Sequence, residues 1–112
     1  MLRESQSAVL ARNEEWRGDV ATEPYEAGWA IEVVIFLRAL HVEGDMRNEA
    51  LRVQLSPDGM HWCDEGTRLM LPSHTGKVTF ARVAQFGTWL RVAGTLPPGA
   101  MLKPLVTFCL KG

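Results

Sequence analysis

Leu51-Arg52-Val53-Gln54-Leu55-Ser56-Pro57-Asp58-Gly59-Met60-His61-Trp62-Cys63-Asp64 is the stretch on which the fold reading turns. Leu51, Val53 and Leu55 alternate with Arg52, Gln54 and Ser56, the period of a strand with one dry and one wet face. Pro57 presets φ for the first central position of a type I turn. Asp58 suits the second, and Gly59 takes the left-handed conformation that closes a G1 bulge. A hairpin joining Leu51–Ser56 to Met60–Asp64 follows.

The same period extends in both directions. Upstream, Trp29–Leu40 is the strongest segment, with Trp29, Ile31, Val33, Ile35 and Leu37 on one face and Ala30, Glu32, Val34, Phe36 and Arg38 on the other. Its β-branched middle favours strand over helix. Its second face is apolar only at the centre, which predicts cover from a loop or a partner subunit. Ser7–Arg12 and Val20–Thr22 are shorter candidates, the latter closed by Pro24. Downstream, Arg68–Leu71, Lys77–Val83, Trp89–Thr95 and Met101–Lys111 are separated by loops rich in Pro and Gly. Pro104 lies inside the last strand and cannot donate to a ladder, so an edge or a bulge is expected there. About eight short strands at this spacing predict an all-β fold, an antiparallel two-sheet sandwich of jelly-roll type. The expected core is Ile31, Val33, Ile35, Leu37, Leu51, Val53, Leu55, Val78, Phe80, Leu90, Val92, Val106 and Phe108.

The 112 residues suit a single domain over 1–112. Twelve Lys and Arg against thirteen Asp and Glu give a formal net charge of -1 with no basic run, which argues against a nucleic-acid partner. No apolar stretch could span a bilayer or serve as a signal-peptide core, so a cytoplasmic protein with no membrane partner is expected. Cys63 and Cys109 are expected to be free thiols.

The hairpin residues Val53-Gln54-Leu55-Ser56-Pro57-Asp58-Gly59-Met60-His61-Trp62 resemble a motif of the galactose-binding-like (discoidin-type) jelly-roll domains. There a strand ends in Ser, turns through Asp-Gly and re-enters with a core-packed Trp. Val83-Ala84-Gln85-Phe86-Gly87-Thr88-Trp89-Leu90-Arg91-Val92 is similar to the family's penultimate segment. The resemblance covers Leu51–Val92. It implies a jelly roll and a ligand-binding module, for carbohydrate, lipid headgroups or proteins, working through loops at one end. Those loops share no motif, so no ligand residue carries over.

Among chemistry-bearing residues, His61, Cys63 and Glu65 alternate along one strand and are residue types that ligate zinc. A complete site would need a further ligand, such as His74 or His41. The competing reading, an ordinary hairpin arm with Cys63 packed against its neighbours, is preferred. No cysteine-nucleophile signature surrounds Cys63. Most of the carboxylates fall in polar loops, not in facing pairs across a cleft. No Gly-rich segment precedes a helix, so no nucleotide or other cofactor is expected. Trp29, Trp62 and Trp89 fall at strand positions and are expected to pack in the core. Trp16 and Tyr25, with Arg17, sit in polar loop contexts and are the expected contact residues for a ligand or partner. The functional expectation is a non-enzymatic structural or protein-interaction domain that self-associates into a homo-oligomer. The alternative is a carbohydrate-binding module of galactose-binding-like type.

Overall fold

The computed structural model describes residues 5–112. Nine strands form two antiparallel sheets: β1 (Ser5–Arg12), β2 (Asp19–Ala21), β3 (Tyr25–Glu26), β4 (Glu32–Glu43), β5 (Ala50–Ser56), β6 (Cys63–Met70), β7 (Val78–Ala84), β8 (Trp89–Thr95) and β9 (Met101–Lys111). A four-stranded sheet has the order β1-β9-β4-β7, and a five-stranded sheet the order β2-β8-β5-β6, with β3 also on β8. No helix occurs among the described residues. With β2 and β3 taken as one strand broken before Pro24, every connection but the β5–β6 hairpin crosses from one sheet to the other. That is jelly-roll winding, and the result is an open sandwich.

The core is what alternation deposits between the sheets. Val33, Ile35 and Leu37 of β4 meet Leu51 and Val53 of β5, Leu90 and Val92 of β8, and Val106, Phe108 and Leu110 of β9, all buried. Loop residues close the ends: Met46, Leu71, Phe86 and Leu96 are also buried.

Three expected core residues are not in it. Ile31 precedes β4 and is exposed, while Ala30 is buried in its place. Val78 and Phe80 point outward, Phe80 with 52% of its surface exposed. The register explains this. Val33 pairs with Val83 and Ile35 with Ala81, so the inward face of β4 selects the odd-numbered residues of β7. Both faces of β7 carry apolar residues, and the smaller pair faces the core. Leu55 is half-buried and packs against the cluster.

The strands expected at Met60–Asp64 and Arg68–Leu71 are one strand. Arg52 pairs with Arg68 and Gln54 with Asp64, so Glu65, Gly66 and Thr67 bulge outward opposite Val53. Gly66 has φ of 112°, a conformation that side chains disfavour. At the tip Gly59 has φ of 78°, as the turn requires, and Met60–Trp62 extend the loop until Cys63 pairs with Leu55. Pro104 sits in a central strand, not at an edge. It pairs with Ala39 where β4 bulges between Ala39 and His41, so its missing donor falls at a break in the ladder.

Candidate interaction surfaces

The outer face of the four-stranded sheet is a grid whose rows follow from the pairing. Ser5, Lys111, Glu32 and Ala84 form the first row, and Ser7, Cys109, Val34 and Arg82 the second. Val9, Thr107, Phe36 and Phe80 form the third, and Arg12, Leu105, Arg38 and Val78 the fourth. Apolar groups therefore dominate the third row, and charges sit mainly in the first and fourth rows, with Arg82 at the β7 edge.

Four of the seven large apolar side chains left exposed among the described residues lie in the third and fourth rows: Val9, Phe36, Val78 and Phe80. Phe36 and Phe80 are cross-strand neighbours with ring centroids 6.3 Å apart, and the Arg82 guanidinium lies 5.1 Å from the Phe80 centroid. Contiguous exposed apolar surface with a charged border is the usual character of a protein contact surface. A shallow depression of about 320 Å³ lies at the first two rows, lined by Glu32, Val33, Val34, Arg82, Val83, Ala84 and Lys111. Charged residues in these four rows are Arg12, Arg38, Arg82 and Lys111 against Glu32, and beyond them His41 lies beside Lys103.

The outer face of the five-stranded sheet is polar. Arg91 Nε donates to Gln54 Oε1 at 2.8 Å, and Gln54 Nε2 donates to Asp64 Oδ1 at 2.9 Å. The other Asp64 oxygen lies 3.6 Å from Arg52 Nη1. Trp62 backs the chain, with the Arg91 guanidinium 4.3 Å from its ring centroid. Burial, and then the neighbouring Arg52 charge, pull Arg91 below the usual arginine range. Its guanidinium remains a donor group throughout.

Of the residues singled out in the sequence, Trp16 is only 4% exposed. Its backbone bridges to Leu102 in both directions, N–H to carbonyl at 2.7 and 3.1 Å, and its Nε1 donates to Glu14 Oε2 at 2.9 Å. That bridge carries the β1 side of the sheet past its last strand residue and draws the ring inward. Tyr25 is half-buried, edge-on to Phe108 at 6.1 Å, and its hydroxyl accepts from Gln6 Nε2. Arg17 is exposed beside Glu15 at 4.0 Å. Of the three, Trp16 belongs to the buried core, Tyr25 is half-buried and only Arg17 is exposed. Trp29, Trp62 and Trp89, expected in the core, are half-buried.

His61, Cys63 and Glu65 point to different tasks. His61 Nδ1 lies 2.6 Å from Asp58 Oδ2, Cys63 Sγ donates to Leu55 O at 3.6 Å, and Glu65 Oε1 accepts from Thr67 N at 3.0 Å. His41 lies beside Glu43, and His74 beside Ser73. Among the described residues no group of three His, Cys, Asp or Glu side chains is placed to hold a metal ion. Cys63 and Cys109 are both free thiols.

Beyond the apolar second face of β4, the two sheet faces are not legible in the sequence, because membership of a face depends on which strands are neighbours. Phe36 and Phe80 are adjacent only once β4 lies beside β7. The usable signal was the apolar centre of the second face of β4.

Comparison of the chain with models of protein families, with curated proteins and with solved structures finds no match.

Proposed function

We propose that this domain is a non-catalytic interaction module that pairs with a second copy of itself through the outer face of the four-stranded sheet. The observation that carries the reading is the exposed Val9–Phe36–Phe80–Val78 surface.

The grid is compatible with its own image. Sheets that pack face to face keep their strands aligned to within about 30°. A two-fold axis along the strands exchanges β1 with β7 and β9 with β4. Glu32 of one copy then meets Lys111 of the other, Val9 meets Phe80, and Arg12 and Arg38 cover Val78 and Leu105. An axis across the strands reverses the rows instead, and Glu32 meets Arg38 while Arg82 meets Phe80. Within these four rows neither arrangement sets two cations directly opposite each other. A two-fold interface requires this kind of self-complementarity.

Sedimentation velocity over a concentration series tests the reading. The wild-type chain sediments as a dimer, and Phe80→Glu as a folded monomer. Loss of an aromatic anchor costs about 2 kcal/mol or more of association energy, roughly thirtyfold in the dissociation constant. A wild-type chain that stays monomeric at the highest concentrations overturns it.

The jelly-roll winding and the Ser56–Gly59 turn also support kinship with galactose-binding-like domains, and with it a second reading as a ligand-binding module. Titration of tryptophan fluorescence against a glycan panel tests that reading, and a flat response across the panel removes it.

A further inference from the structure

On the opposite side of the sandwich from the proposed self-association face, β6 bows out at Glu65–Thr67 and leaves a depression of about 300 Å³. Ala50, Arg52, Asp64, Gly66, Thr67 and Arg68 line it. We propose that this depression binds an oxyanion, the carboxylate or phosphate group of a small solute, between the guanidinium groups of Arg52 and Arg68.

Three independent features converge there. Arg52 and Arg68 are direct cross-strand partners on the same outer face. Like charges so placed destabilise an antiparallel pair, and an anion between them reverses the sign of that interaction. The nearby carboxylate is already engaged. Asp64 accepts from Gln54 and lies against Arg52, while Gln54 is itself held by Arg91, and Arg91 by the face of Trp62. That chain of contacts holds Arg52 from its inner side. Arg68 has no carboxylate partner among the described residues. Finally, the bulge supplies the space. Gly66 has no atom within 4 Å of where a Cβ would stand, and Ala50 presents only a methyl group.

The volume is at the lower end of the small-ligand range, which suits a single charged monosaccharide or a free phosphate and not a long chain. A planar carboxylate and a tetrahedral phosphate both fit a pair of guanidinium forks.

Titration of the folded domain with inorganic phosphate, with glucuronate and with neutral glucose, followed by backbone amide NMR, tests the proposal. Saturable shifts centred on Gly66, Thr67 and Arg68 are expected with one or both anions, and none with glucose. Preference for phosphate or for glucuronate identifies the source of the oxyanion. Arg68→Gln and Arg52→Gln are each expected to weaken binding at least about tenfold, while Arg17→Gln, beside β2 at the far edge of the same sheet, leaves it unchanged. Arg68→Lys keeps the charge without the fork and serves if the glutamine variants do not fold. Shifts that are absent, that do not saturate, or that persist equally in the Arg52 and Arg68 variants overturn the proposal.

Discussion

One oxygen of the Asp58 carboxylate accepts from the backbone N–H groups of Met60 and His61 and from Ser56 Oγ, each at 2.9 Å, while the other lies 2.6 Å from His61 Nδ1. The backbone donors of His61 and Met60, followed by the His61 side chain, hold the Asp58 carboxyl well below its ordinary value of 3.8. A carboxylate acidified by folding adds stability that is fully present above its unfolded value and is lost as pH falls toward the folded one. The domain is therefore expected to lose stability to urea as the pH drops below about 4. Asp58→Asn should show a shallower acid-side decline, and an unchanged one would mean that Asp58 adds nothing. The turn chemistry behind this was legible in Ser56-Pro57-Asp58-Gly59, because those residue types act locally. Trp16 was not legible, since its polar sequence neighbours say nothing about the Leu102 bridge that draws it in. Trp16→Ala is expected to cost about 3–5 kcal/mol in unfolding free energy. A value within experimental error of zero would place the ring at the surface.

At the scale of elements, β8 and β9 lie at Trp89–Thr95 and Met101–Lys111, where alternation and flanking turns had placed them. Both are bounded by strong punctuation, including Pro97-Pro98-Gly99. β7 shows where alternation stops being informative. With apolar residues on both faces, only pairing with β4 decides that Ala81 and Val83 go inward. β6 was split in two because a bulge breaks the period. Two glycines test this local geometry by different physics. Gly94 lies on the inner face of β8, where an added Cβ would stand 2.7 Å from Leu51 Cδ2 and 3.2 Å from Leu51 Cα. Gly94→Val should destabilise by about 1–3 kcal/mol through overpacking. Gly66 has open space but a left-handed backbone, so Gly66→Ala should cost about 1–3 kcal/mol through strain alone. Chemical denaturation of both variants checks the pair, and an unperturbed Gly66→Ala would mean that the bulge relaxes.

For the whole molecule, the outer faces of the two sheets differ in kind. One presents aromatic and aliphatic groups with charges mainly in its first and last rows, the other arginines set by a glutamine and an aspartate. The formal net charge of -1 hides this division. Composition gave no hint of it, because the chain averages two faces that only the jelly-roll winding separates. The proposed self-association depends on the first face, and its geometry predicts which charges meet. Glu32→Lys sets a cation against Lys111 or Arg38 of the opposite copy and should weaken the dimer. The reciprocal change restores the match, as Lys111→Glu if the two-fold axis runs along the strands and as Arg38→Glu if it runs across them. The decisive measurement is the solution mass, by light scattering at matched concentrations, of the wild-type chain, Glu32→Lys and the two double variants. A dimeric wild type, a weakened single variant and recovery in one double variant is the predicted result. A monomeric wild type, or the same mass for all four proteins, would contradict the pairing.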